Sequence, residues 1–268
     1  MAYEHPGGGA LDYCACRYGR SKLLFRGPRR RLTGPYVAAL GGTETYGKFV
    51  ARPWPVLLEE GLGLPVPNFG CVNAGVDVFL SEPQVVEIAA AARVAVVQLM
   101  GPQNMSNRLY MVHPRRNDRF LRASAAMRSL YPEVDFTEFN FTRHMLTALR
   151  DRYPARFDLL AQELRSAWVA RGHSLLERIG ARVVLLWVGP KSSGGTADPV
   201  PLDAAMVAEL GGLALETVRV EVSAAARAAG TEGMWFGQLE QAAAAEMPGP
   251  MVHAEVAEAL MPVLRGLL

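Results

Sequence analysis

Short apolar runs alternate with segments of helical spacing along most of this chain. Val37–Leu40, Val66–Phe69, Val94–Met100 and Arg182–Val188 read as buried strands. The third is apolar except for Gln98, the pattern of a parallel strand covered on both faces. Thr217–Val222 alternates as a half-buried strand does. Between these runs the spacing predicts helices over Thr43–Val50, Trp54–Leu62, Pro83–Ala92, Leu202–Leu210, Gln238–Glu246 and Val252–Leu267. Strand–helix alternation of this kind predicts an α/β fold with a parallel, doubly wound sheet and helices on both faces.

The middle of the chain breaks the rhythm. Gly101–Arg119 reads as a long polar loop, a length more often functional than decorative. Phe120–Leu130, Phe139–Arg152 and Ala155–Ile179 read as helices. Residues 105–180 are therefore expected to form a helical insertion or cap over the carboxyl edge of the sheet, where ligands bind in such folds. Lys191–Pro199 reads as a Ser/Gly loop. Residues 1–34 read as an irregular basic arm, and 35–268 as a single α/β domain carrying the cap.

The 268 residues are enough for a full core, half of them hydrophobic and 20% charged, as in ordinary globular proteins. A net charge of +2 gives no global argument for nucleic acid. The basic residues cluster, however: Arg17, Arg20, Lys22, Arg26, Arg29, Arg30 and Arg31 run without an acid among them. Such a run could contact phosphate or an anionic surface, or it could pack on the domain or on a partner subunit, so a homo-oligomer stays open. Cys14, Cys16 and Cys71 lack disulfide or zinc spacing. Gly7-Gly-Gly9 and Asp12 interrupt any leader pattern, and no membrane span is expected, so the cytoplasm is the expected compartment.

The candidate chemistry sits at three strand ends. Gly41-Gly42-Thr43-Glu44-Thr45 follows the first strand and offers a hydroxyl in a tight turn, although Thr43 could simply cap a helix. The turn matches neither a Walker motif nor a dinucleotide fingerprint. Asn68–Gly75 follows the second strand, and Gly101-Pro-Gln103-Asn104 the third. A hydroxyl, backbone amides and carboxamides at successive strand ends are what an oxyanion-stabilising site needs.

These blocks resemble the SGNH (GDSL-like) hydrolase superfamily of esterases and acyl-transferring enzymes. Gly41-Gly42-Thr43 stands where the family has Gly-Asp-Ser, with Leu40 before it and Thr45 after it. Asn68 and Gly70 fit the second block, with Asn73 and Gly75 nearest the oxyanion glycine. Gly101 to Asn104 stands for the third block, with Gln103 or Asn104 as its carboxamide. Pro250-Met-Val-His253 keeps the fourth block's histidine and loses its aspartate. The resemblance covers about 35–105 and 180–268. It implies a flavodoxin-like three-layer α/β/α sandwich with Thr43, His253 and Asn104 catalytic. Gly42, Asn73, Gly75 and Gln103 would line the oxyanion pocket. Threonine is a more hindered nucleophile than serine, and without the aspartate another acid, Asp77, Glu44 or Asp118, would have to orient the histidine. The chain also resembles a narrower bacterial family of unknown function through Gly-Gly-Thr-Glu-Thr-Tyr-Gly47 and His113-Pro-Arg-Arg-Asn-Asp-Arg119, which adds no activity.

A second constellation is separate from these blocks. His113, Arg115, Arg116, Asn117, Arg119, Arg143 and His144 could clamp an anionic group of a substrate, or pair with Asp118, Asp135 and Glu138 to hold the cap. No metal site is expected from His113 and His144, and no cofactor is implied. His5 and His173 read as surface residues; Trp54, Trp168, Trp187 and Trp235 read as core or pocket lining. The leading expectation is an esterase or acyltransferase acting on an O-acyl group of a carbohydrate or small anionic substrate. The alternative is a catalytically inactive domain binding an anionic saccharide or a protein partner; transfer of a sulfuryl or phosphoryl group is a third. Proximity of Thr43, Asn104 and His253 would support the first, and a His253 buried away from Thr43 would remove it.

Overall fold

The computed structural model describes residues 11–180, 182–189 and 198–268. His5 and most of the Ser/Gly loop expected over 191–199 lie outside them. In chain order the elements are β1 (Val37–Gly41), α1 (Thr43–Tyr46), α2 (Trp54–Leu62), β2 (Asn68–Gly70), α3 (Val76–Leu80), α4 (Pro83–Ala90), β3 (Val94–Gln98), β4 (Tyr110–His113) and β5 (Arg116–Ala123). They continue with α5 (Ala125–Leu130), α6 (Thr142–Arg152), α7 (Pro154–Ile179), β6 (Val183–Val188), α8 (Ala204–Gly211), β7 (Glu216–Val220), α9 (Ala224–Ala229), α10 (Gln241–Ala245) and α11 (Pro250–Leu267).

Five parallel strands form the main sheet in the order β2-β1-β3-β6-β7. Counted within the sheet alone this is the flavodoxin order, and the chain reverses direction across the sheet between β1 and β3. Successive side chains of a strand point to opposite faces, and both faces here are covered. Ala38, Leu40, Ala95, Val97 and Leu185 pack with residues of α4, α7 and α8. Val37, Ala39, Val94, Val96, Val184 and Leu186 pack with Trp54 and Leu58 of α2 and with Val256, Leu260 and Leu264 of α11. The structure is therefore an α/β fold whose parallel sheet lies between helical layers.

The expected polar loop at 101–119 is not a loop throughout. Its second half is the antiparallel hairpin β4–β5, which runs on to Ala123 and shortens the helix expected from Phe120 to α5. Tyr110, Val112 and Phe120 from this hairpin form a second core with Met127, Leu146 and Leu160. The long helix α7 joins the two cores: Phe157, Leu160 and Leu164 belong to the second, Trp168, Leu175 and Ile179 to the first. Trp168 also donates its indole N–H to the Met100 carbonyl at 2.7 Å, pinning α7 beside the end of β3.

The N-terminal basic segment is built into the domain. Tyr18 and Phe25 meet Phe69 of edge strand β2 edge-on, with centroids 5.0 and 5.2 Å away. Covering an edge strand removes a template for unwanted pairing. Arg26 is buried, and its guanidinium donates to the carbonyls of Tyr46, Gly47, Val50 and Ala51 at 3.1, 2.6, 2.7 and 2.9 Å. It holds the chain between α1 and α2. Of the four tryptophans, Trp54 and Trp168 are core, while Trp235 is 55% exposed. Among the described residues no helix is long and apolar enough to cross a membrane, and no group of three or more His, Cys, Asp or Glu could hold a metal ion.

Candidate functional site

The turn after β1 is shaped by a single buried side chain from β3. Gln98 Oε1 accepts the main-chain N–H of Gly42 at 3.0 Å, the N–H of Thr45 at 3.3 Å and the Thr45 hydroxyl at 2.7 Å. Its Nε2 donates to Glu44 Oε2 at 2.9 Å. The one polar interruption in the apolar third strand is thus the brace of the candidate site. Gly42 caps α1, and Thr43 is that helix's first residue. Asn68 fixes the next strand to it, donating to the Thr45 carbonyl at 2.7 Å. Gly70 is required there, because a Cβ would lie 2.2 Å from the Tyr46 nitrogen.

Thr43 is buried at 7% exposure and bonds to the turn after β2. Its Oγ1 accepts the Asn73 main-chain N–H at 2.8 Å and lies 3.4 Å from Asn73 Oδ1. Asn73 adopts a left-handed conformation, with φ 55°. Its side chain donates to Asp118 Oδ2 at 3.2 Å, and its carbonyl accepts Asn104 Nδ2 at 3.0 Å. The Thr142 hydroxyl in turn donates to Asn104 Oδ1 at 2.7 Å. Thr43, Asn73, Asn104 and Asp118 are therefore one hydrogen-bonded group at the carboxyl edge, beside the β1/β3 reversal.

Of the donors that an oxyanion pocket would use, the Asn73, Gly42 and Gly75 amides and the Asn104 carboxamide are engaged within the protein, whereas the Thr43 amide opens α1. The Asn73 amide is on Thr43 Oγ1, the Gly42 amide on Gln98, and the Asn104 carboxamide on Asn73. The Gly75 amide donates to Asn117 Oδ1 at 3.0 Å, as does Val78 N–H at 3.0 Å. Gly75 itself packs so closely that a Cβ would sit 1.7 Å from the Asn104 carbonyl oxygen. Gln103 donates to Asp198 Oδ1 at 3.3 Å, and its own carbonyl accepts the Tyr110 hydroxyl at 2.7 Å.

His253 lies elsewhere. It is inside α11, 2% exposed, and its Nδ1 accepts the Trp54 main-chain N–H at 3.2 Å. That amide is the first of α2, one of the donors a helix leaves without an internal partner. With Nδ1 accepting, Nε2 carries the proton, and it is buried without a partner. Burial, reinforced by the nearby Arg26 charge, lowers its pKa from 6.5 to about 3. No hydrogen bond joins His253 to Thr43, so the expected dyad is not assembled. Partial burial pushes the Cys71 thiol up to about 12.

The second constellation divides. Asn117, expected to touch substrate, is 1% exposed and saturated: besides its two accepted amides it donates to the carbonyls of His113 and Pro114 at 3.1 and 3.3 Å. It is a brace between the hairpin and α3. Arg143 lies 3.8 Å from both Asp198 and Glu246, acids other than those the sequence offered. Arg119 stacks on Phe141 at 4.4 Å, and His144 meets Phe139 edge-on at 5.2 Å. His113 Nδ1 accepts the Arg115 amide at 3.2 Å. Arg115 and Arg116 are exposed at the hairpin turn and form no ion pair among the described residues. Of the three acids the sequence nominated, Asp118 belongs to the Thr43 group through Asn73 and Glu44 is held by Gln98; the third, Asp77, accepts the Ser106 amide at 2.8 Å and faces Arg171 at 3.3 Å.

A flavodoxin-order sheet with a polar group at its β1/β3 reversal defines the class. Within it, the chain belongs to the family described as domain of unknown function (DUF6473), whose profile matches residues 1–268. No curated protein matches. Among solved structures it is similar to the lipase Lip_vut3 from a goat rumen metagenome, with 12% identity, a TM-score of 0.47, and coverage of 87% of this chain and 97% of that one. It is also similar to a carbohydrate esterase family 2 enzyme with a carbohydrate-binding domain from Corynascus thermopiles (Myceliophthora fergusii), with 12% identity, TM-score 0.41, and 90% and 68% coverage. A third is the salicylyl-acyltransferase SsfX3 from a tetracycline biosynthetic pathway, with 11% identity, TM-score 0.38, and 88% and 57% coverage.

Proposed function

We propose that this protein is an SGNH-like domain that binds a small saccharide at the carboxyl edge of its sheet without using a threonine–histidine dyad. The observation that carries this reading is the state of Thr43: its oxygen accepts a main-chain N–H, and no imidazole is bonded to it. A hydroxyl becomes a useful nucleophile only when a base takes its proton. A histidine held neutral in the core, its Nδ1 on a helix amide, is not available for that task. The surrounding groups instead suit recognition of hydroxyls. Glu44 and Asp118 supply carboxylate acceptors, the engaged carboxamides of Asn73 and Asn104 hold the turns that present them, and Arg143, Arg115 and Arg116 suit an acidic sugar.

One observation favours a second reading, acyl transfer. Glu44 is adjacent to Thr43 in sequence and held by Gln98, and its Oε2 lies 3.1 Å from where a Cβ on Gly42 would be. In this version the carboxylate, not His253, would take the Thr43 proton, and an ester of a carbohydrate or small anionic acceptor would be the substrate.

Calorimetry against neutral and acidic monosaccharides and disaccharides, with p-nitrophenyl acetate hydrolysis in parallel, tests both. Saccharide binding lost in Asn104→Ala, with no ester turnover by the wild type, is the expected result. Turnover lost in Thr43→Ala and Glu44→Gln and kept in His253→Asn would replace the binding reading with the second. Turnover lost in a folded His253→Asn would overturn both.

A further inference from the structure

The basic run at the N-terminus forms a concavity away from the Thr43 group. Tyr18, Gly19, Arg29, Arg30, Arg31, Leu32, Thr33 and Ile88 line a groove of about 410 Å³. No carboxylate is among them. Arg30 is a fixed post in its wall: its Nε donates to both oxygens of Glu59 at 2.8 and 2.7 Å, one Nη to the Pro28 carbonyl at 2.6 Å, and its main-chain N–H to the Tyr18 hydroxyl at 2.8 Å. Glu59 is itself occupied, accepting the Val66 amide at 2.8 Å as well. The residues on either side of this post are different. Arg29 lies over the Tyr18 ring at 5.7 Å, and neither Arg29 nor Arg31 has a carboxylate partner among the described residues.

The other nearby acids do not fill the gap. Glu82 accepts the Ser21 hydroxyl at 2.8 Å and the Lys22 amide at 3.3 Å. Glu87 is exposed on α4, next to the lining residue Ile88, and makes no ion pair among the described residues. The polar lining is therefore almost wholly donor: two guanidiniums without counterions and the Thr33 hydroxyl. Guanidinium pairs bind tetrahedral oxyanions through parallel N–H bonds. The apolar faces of Leu32 and Ile88 leave room beside the charge for a body of sugar size. The Tyr18 ring is 2% exposed and already covered, so the groove offers no platform for stacking a nucleobase.

We propose that this groove is a binding site for a small phosphate or sulfate ester, with Arg29 and Arg31 holding its oxyanion. The site is independent of whatever the Thr43 group binds.

Calorimetry at low salt with inorganic phosphate, inorganic sulfate, glucose 6-phosphate and glucose 6-sulfate tests it; comparing the two esters identifies the anion. The expected result is binding of at least one ester, weakened at least about tenfold in Arg29→Ala/Arg31→Ala and by salt. Arg29→Lys/Arg31→Lys, which keeps the charge and loses the fork, should bind between the two. Arg152→Ala, at an exposed position on α6 outside both sites, should bind as the wild type does. Both arginines are exposed, so thermal melts should show the variants folded. No binding of any of the four probes overturns the proposal, as does affinity unchanged in Arg29→Ala/Arg31→Ala. Binding only of heparin, added as a polyanion control, would also overturn it and reveal generic charge attraction.

Discussion

His253 Nδ1 accepts the main-chain N–H of Trp54 at 3.2 Å, across 199 residues of sequence. The last helix thereby caps the second, and it can do so only with a neutral imidazole. The sign of the pH dependence follows. The folded pKa, about 3, lies below the ordinary 6.5, so the unfolded chain binds the extra proton first. This contribution to stability is complete above about pH 6.5 and is lost as pH falls toward the folded value. Between pH 7 and about 4.5 the loss should be on the order of 2–3 kcal/mol. Urea titrations of the wild type and His253→Asn across that interval check it. The asparagine can still accept the amide but cannot titrate, so its curve should be flatter. Equal slopes would show that His253 is not the titrating group.

Gln98 is the acceptor for two amides and a hydroxyl in the turn that carries Thr43. Gln98→Leu leaves the amides of Gly42 and Thr45 and the Thr45 hydroxyl without their acceptor in a buried place. The expected cost is about 2–4 kcal/mol, since buried donors left unmade carry their full desolvation penalty. An unchanged denaturation midpoint would show that the turn finds other partners.

Asn117 caps α3 from the hairpin. Asn117→Ala removes the acceptor shared by Gly75 and Val78 and should destabilise by about 1–3 kcal/mol. Hydrogen exchange offers the sharper readout: those two amides should lose protection, while the β3 amides keep theirs. If Gly75 and Val78 stay protected, the cap is not what holds them.

Arg26 is an N-terminal basic residue whose loss should be structural. Its guanidinium serves four carbonyls in a buried setting, a fan that lysine's three donors on one atom cannot reproduce. Arg26→Lys should cost about 2–4 kcal/mol, whereas Arg17→Ala, at an exposed position, should stay within about 0.5 kcal/mol. Thermal melts distinguish them, and equal melting temperatures for the two variants would contradict the assignment.

The elements that were legible in the sequence are those whose local pattern matches their burial. Val94–Gln98 reads as a strand because its apolar side chains are needed on both faces of the sheet. Trp54–Leu62 was legible to the residue, with Pro55 early in the helix and Gly63 as its left-handed stop. The β4–β5 hairpin was not. Only Tyr110, Val112, Phe120 and Ala123 of it are deeply buried apolar residues, and register shifts at Met111 to His113 break the alternation that would have marked it. Of the candidate residues, Thr43, Asn73 and Asn104 are joined by hydrogen bonds, because strand ends of a parallel sheet converge on one edge.

The sequence by itself determined the α/β alternation, the strand-end turns and the polarity of the groups they carry, all properties of residues close together in the chain. Only the tertiary structure decided which partner each polar group meets. Gln98 looked like a flaw in a strand and is a brace; Asn117 looked like a ligand contact and is a cap. His253 looked like a base and is a buried acceptor. A buried polar atom must find a partner, and the choice among partners is made by packing between segments as far apart as 54 and 253.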